Sequence, residues 1–255
     1  NINLVGKAVV NGSVHMTALN TTYWLRGDSV TFVPDEIKFK GDTIYDRNGN
    51  IGIMTGSVYH QHLTNLSYDL NVEAQNLLAY DTHSFGENTF YGTAYVTGDC
   101  KIKGRSGEVT IDINAVPEKN SILVYNVADQ STIGSSDFIS WKKHDTADND
   151  SIDNDSIDND DDNKVDISTN IRLNFLINCN PNATLKLLMD EKTGDYITLN
   201  GDGVLRATYF NKGTFDIYGN YIVDHGVYKL TIQNIIKKDF LFQKGGTISF
   251  GGDPY

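Results

Sequence analysis

Apolar residues in this chain recur at every second position, in short runs separated by turn residues. Leu66, Tyr68, Leu70, Val72 and Ala74 alternate with Ser67, Asp69, Asn71 and Glu73. Tyr228, Leu230 and Ile232 alternate with Lys229, Thr231 and Gln233. A period of two puts each set on its own side of an extended strand, so the pattern predicts strands with one dry face and one wet face. Shorter runs of the same kind are Val30/Phe32 after Gly27-Asp28, Ile37/Phe39 before Gly41-Asp42, and Ile51/Ile53 before Gly56. Asn48-Gly49, between Ile44-Tyr45 and Ile51, predicts a hairpin of the type I′ kind, whose two central positions both need positive φ. Strands are also expected at Val109/Ile111/Ile113, Ile171/Leu173/Phe175/Ile177, Leu185/Leu187, Ile197/Leu199, Leu205/Ala207/Tyr209, Phe215/Ile217, Phe240/Phe242 and Ile248/Phe250. Helical spacing is never sustained beyond about a turn or two, and no strand–helix–strand unit appears. The fold class is all-β.

Composition agrees with that reading. The 255 residues include 14 Tyr, 11 Phe and 23 Gly but only 4 Pro, and aromatic residues suit a pleated, half-buried surface. The length can bury a substantial core in one large β domain or two smaller ones. No apolar run approaches the ~18 residues that cross a bilayer as a helix. The chain opens without Met inside a strand-like run and stops at Tyr255, so it reads as a piece of a longer protein. Its net charge of −12 is concentrated: residues 145–162 hold nine Asp and no Lys or Arg, leaving about −3 on the remainder. A nearly neutral body is no nucleic-acid surface. The acidic tract at 145–164, with Ser-Ile-Asp-Asn-Asp repeated at 151–155 and 156–160, is expected to be a disordered surface loop, because it has too little apolar area to offset its ordering entropy.

Candidate chemistry is sparse. Asp148, Asp150, Asp153 and Asp155 space carboxylates closely, but residues 145–163 contain neither the turn glycine nor the closing Glu of an EF-hand-type calcium loop. His60 and His62 lie on one strand side without a visible third ligand, so no metal is assigned. Nucleophile elbow, phosphate loop and zinc signature are all missing from the sequence. No catalytic residue and no cofactor is assigned, and the chain is not read as an enzyme. Cys100 and Cys179 are compatible with a disulfide or with two buried free thiols. The alternating stripes fit either a closed sandwich core or an open groove.

The C-terminal stretch narrows the choice. Tyr221, Gly226, Tyr228, Phe240, Gly245, Gly246, Ile248, Gly252, Asp253 and Pro254 follow in an order that no general strand rule requires. It resembles the C-terminal domain of the TamB family, AsmA-like components of a translocation and assembly module, in the form common in Bacteroidetes. The resemblance extends loosely to Tyr91-Gly92, Gly98, Gly104 and Gly107 and to Ser136–Trp141, and departs at Phe250, where the family more often has Trp, and at the acidic tract. It implies one elongated open β-sheet trough over residues 1–255, the solenoid-like β-taco, with an apolar concave face. It further implies a place in the periplasm or cell envelope, a parent anchored in the inner membrane, and phospholipid acyl chains as partners. The function implied is phospholipid transport between inner and outer membranes, with support of outer-membrane protein assembly and protein secretion. A TamA-like outer-membrane barrel is expected to be reached only through parts beyond this chain. By parity within each strand, the groove lining would comprise Leu66, Tyr68, Leu70, Val72, Phe215, Ile217, Tyr228, Leu230, Ile232, Phe240, Phe242, Ile248 and Phe250. Two other readings stand beside it: a secreted β-solenoid that binds or cleaves polysaccharide, and a structural scaffold for a barrel assembly partner.

Overall fold

The computed structural model describes residues 5–16, 19–61, 64–85, 90–126, 169–190, 193–210, 215–232 and 235–252. The acidic tract at 145–164, Ser136–Trp141 and His62 lie outside them, as do the side chains of Phe215 and Ile232. The described residues form one sheet of fourteen strands. In chain order these are β1 (Gly6–Met16), β2 (Thr21–Val33), β3 (Glu36–Tyr45), β4 (Ile51–Gln61), β5 (Thr64–Thr82), β6 (Phe90–Arg105) and β7 (Glu108–Pro117). Then come β8 (Ile122–Asn126), β9 (Asn170–Cys179), β10 (Thr184–Asp190), β11 (Asp195–Phe210), β12 (Phe215–Ile232), β13 (Ile236–Phe242) and β14 (Thr247–Gly252).

Three pairs of these strands lie end to end. β7 and β8 share one edge of β6, β9 and β10 share one edge of β11, and β13 and β14 share one edge of β12. The sheet is therefore eleven rows wide, about 50 Å at ~4.8 Å per row. Neighbouring rows are antiparallel except where β7 meets β9 and β8 meets β10. The hairpin between β3 and β4 is present, but its turn differs from expectation. Gly49 has φ 84 while Asn48 is not among the positive-φ residues. The buried Asp46 carboxylate accepts the Asn48 and Asn50 N–H groups at 2.8 and 2.9 Å, which holds a longer loop in place of a two-residue type I′ turn.

The breaks between end-to-end strands fall in line with bulges in their neighbours, and together they form a crease across the rows. The ladder shifts between Ala74 and Leu77, stops at Pro117 and resumes at Ile122, then stops at Cys179 and resumes at Thr184. In β12 the extra residue is Asp224, since Gly201 faces Val223 while Asn200 faces His225. Bonds outside the regular ladder patch the line. Asn180 Nδ2 donates to Pro117 O at 2.9 Å, Asn200 Nδ2 to Ala183 O at 2.8 Å, and Val223 N to Gly246 O at 2.7 Å. A proline that cannot donate and a row that must gain a residue are both tolerated there, because buried backbone groups still find partners.

Each bulge also changes which parity faces inward. In β12, Ile217, Tyr221 and Val223 are odd and Tyr228 and Leu230 even, yet the residue inserted at Asp224 puts all of them on one side. Gly27 in β2 and Gly41 in β3, with φ 86 and 105, do the same for Val30 and Leu25, and for Phe39 and Ile44.

Following the register from row to row defines one continuous inner face. It is concave. Tyr23 Oη of β2 donates to Leu78 O of β5 at 2.9 Å, although three flat rows would separate those strands by ~14 Å. Side chains from both sides of the crease also pack on one cluster of Leu199, Tyr221 and Val223: Leu185, Leu187 and Ile197 from one wall, and Leu205, Ile248 and Phe250 from the other. The fold is an all-β open trough.

Candidate functional site

Cross-strand pairs share a face, so the ladders place each sequence-predicted lining residue. Tyr68, Leu70 and Val72 of β5 lie opposite Val58, Gly56 and Met54 on one side and Gly104, Ile102 and Cys100 on the other. Leu66 extends the same set and is 50% exposed. Ile217 pairs with Ala207 and Gly252, while Phe250 and Ile248 pair with Gly219 and Tyr221. Tyr228 pairs with Ile197 and Phe240, and Phe242 with Gly226. Leu230 faces Lys238, which interrupts the apolar set with a cation. For Phe215 and Ile232 only the backbone register is described; they pair with Tyr209 and Ile236. The middle rows join the two groups through Ile111, Ile113, Leu173, Phe175, Ile177 and Leu205. These residues stand outside the lining set expected from the sequence, although their alternation carries the same signal.

The face is close-fitting at its floor and open at its walls. Leu199, Tyr221 and Val223 are 3%, 6% and 4% exposed, whereas Phe240 and Phe242 are 50% and 40% exposed. Leu70, Val72, Ile217, Tyr228, Ile248 and Phe250 are half-buried. No second sheet covers them among the described residues, since all fourteen strands belong to the one sheet. Glycine fits where a ring crosses a neighbouring strand. A Cβ on Gly104 would come within 2.5 Å of the Tyr68 ring, and one on Gly201 within 2.9 Å of the Tyr221 ring.

Lys238 apart, the two thiols, the Tyr221 phenol and three carboxylates of the inner face are held neutral or are already engaged. Burial pushes the Tyr221 phenol up to about 12 and the Cys100 and Cys179 thiols up to about 11. Both cysteines are free, and they sit two rows apart. Asp28, Asp42 and Asp195 accept backbone N–H groups of Thr43, Lys40 and Thr231 at 2.7, 2.9 and 2.8 Å. Those carboxylates repair irregular backbone, which leaves an apolar surface with no convergent acid–base pair among the described residues. Nor do three His, Cys, Asp or Glu side chains converge on a metal position there.

A second, polar depression of about 230 Å³ lies on the outer face, lined by His15, Trp24, Arg47, Asp81 and His83 among others. Asp81 is 1% exposed; it pairs with Arg47 and accepts the Thr93 hydroxyl at 3.0 Å. Elsewhere the outer face carries charged and polar pairs, such as Asp69–Lys103 at 3.2 Å and Asn174–Asp112 at 2.7 Å, beside exposed Val204, Tyr218 and Ile222.

Among protein families, the model described as TamB C-terminal domain matches residues 42–255. Neither a curated protein nor a solved structure matches the chain.

Proposed function

Because the chain belongs to the TamB C-terminal domain family, we propose that it is a section of a cell-envelope lipid conduit, with phospholipid acyl chains lying on the inner face of the trough. The carrying observation is the inner face itself: apolar across the rows, half-buried, and uncovered by a second sheet among the described residues. In an ordinary sandwich the opposing layer would supply the missing half of the core. Here acyl chains substitute for it. Each buried methylene contributes about 0.8 kcal/mol without directional contacts, so a chain is held yet can slide along the rows. A groove of about 50 Å is one stretch of a path between two membranes.

In this reading the protein carries phospholipid towards the outer membrane and supports outer-membrane protein assembly. It works in the periplasm, the parent is anchored in the inner membrane, and a TamA-like barrel is engaged through regions beyond this chain. No helix among the described residues is long and apolar enough to cross a membrane. The test is site-specific photocrosslinking to lipid in cells, with the probe at position 230 on the inner face and at 229 on the outer face. Lipid adducts at 230 and none at 229 are expected. Equal labelling, or none at 230, overturns the conduit.

A second reading, polysaccharide binding, draws on the outer depression, where Trp24 stands beside the Arg47–Asp81 pair. It predicts glycan-array binding that is lost in Trp24→Ala, with lipid crosslinking unaffected.

A further inference from the structure

We propose that Lys238 is the headgroup site of the groove: its ammonium holds the phosphate of a phospholipid whose acyl chains rest on the apolar surface below. The inference rests on the lipid-conduit reading. It follows from the register. Lys238 pairs with Leu230 and therefore shares the inner face. Every other lysine or arginine paired in the described strands falls on the outer side: Lys7, Arg26, Lys38, Lys40, Lys101, Lys103, Arg105, Arg172, Lys186, Arg206, Lys229 and Lys237. One inward cation, on a face whose carboxylates Asp28, Asp42 and Asp195 are bonded to backbone N–H groups, is a specific placement.

Its height on the wall matches an amphiphile. Away from the crease, the inner side of β13 reads Phe242, Phe240, Lys238 and Ile236. The Tyr228 and Phe240 rings, 6.2 Å apart, lie on the crease side of the lysine. A lysine stem can lie along such a surface while its ammonium stays wet. The neighbouring carboxylates are committed elsewhere. Asp239 pairs with Lys229 at 3.8 Å on the outer face, and Asp195, two rows away, accepts the Thr231 N–H. A phosphate with two chains fits the crease side of that order, with the anion at the lysine, the hydrocarbon on Phe240 and Phe242, and Ile236 at the rim beyond.

An inward lysine on an edge strand has another known use, which is to discourage pairing with a second sheet edge. That role predicts self-association when the charge is removed and no change in lipid preference. The discriminating experiment loads the chain from vesicles containing equal phosphatidylglycerol and diacylglycerol of the same acyl composition. Retained lipid is then read by native mass spectrometry. The wild type should favour phosphatidylglycerol, Lys238→Gln should reduce that preference about fivefold, and Lys238→Arg should keep it. Excess inorganic phosphate, which has no acyl chains, should not displace the lipid. An unchanged preference in Lys238→Gln overturns the proposal while the conduit stands, whether or not the variant self-associates. Displacement by inorganic phosphate would make Lys238 a free-phosphate site and also overturn it. Retention of neither lipid by the wild type ends the conduit reading and the headgroup site with it.

Discussion

Replacing Leu230 with aspartate separates an open wall from a closed core. Leu230 is half-buried on the inner face of β12, directly opposite Lys238. Full burial of a leucine is worth about 1.5–3 kcal/mol, so removing a half-buried one costs about 1 kcal/mol. The new carboxylate stays in contact with water along the open side and therefore avoids the penalty of an unpaired buried charge. The opposing lysine returns a cross-strand attraction of about 0.2–1 kcal/mol. The net loss should be no more than about 1 kcal/mol, which for a domain of this size is a Tm lower by about 2–4 °C. Leu199→Asp is the matched control, because Leu199 is 3% exposed and belongs to the packed cluster at the crease. There the carboxylate has no water and no partner, and a loss above about 4 kcal/mol is expected. Both variants would be melted by circular dichroism, with lipid crosslinking measured from a second inner-face position such as Ile217. Leu230→Asp should fold and lose the crosslink; Leu199→Asp should melt far lower or fail to fold. Equal destabilisation by the two changes would refute the open wall.

Gly104→Ala places a Cβ within 2.5 Å of the Tyr68 ring and should cost about 1–3 kcal/mol by displacing it, whereas Gly12→Ala, with nothing within 4 Å, should shift stability by less than about 0.5 kcal/mol; paired thermal melts check both. The two thiols, raised by burial from 9.0 to about 11, should alkylate about 100-fold more slowly at pH 8 in the native protein than in denaturant. Because the folded state holds those protons more tightly, their contribution to stability is complete below about pH 9 and is lost as the pH rises through about 11; denaturant midpoints across that window measure it.

Much of the trough was legible in the alternation. Tyr68, Leu70 and Val72 were placed on one strand side by parity alone, and the ladder keeps them there. Parity misled in β4. Ile51 and Ile53 carry the visible apolar signal there, but they pair with Tyr45 and Thr43 on the outer face. The inner positions include Gly52, where a Cβ would meet Ile44 and Val72 at 3.1 Å. At the crowded floor the residue that fits is the smallest one, so the apolar pattern disappears where packing is tightest. Lys238 shares its parity with Phe240 and Phe242, but a lining read from apolar residues alone passes over a lysine.

Strand, turn and face within a strand follow from consecutive residues, because backbone pleating alternates side chains whatever the neighbours are. Hence the all-β class, the hairpin near Asn48-Gly49 and the dry stripe of β5 could be read in advance. The joining of stripes into one surface depended on partners distant in the chain. Asp224 is an extra residue only relative to β11, and β7 runs parallel to β9 only because the chain returns to it after β8. A bulge is defined by what pairs across it, and a one-residue shift turns every later side chain to the other face. For that reason the local pattern specified the strands, while their pairing specified which residues face into the groove.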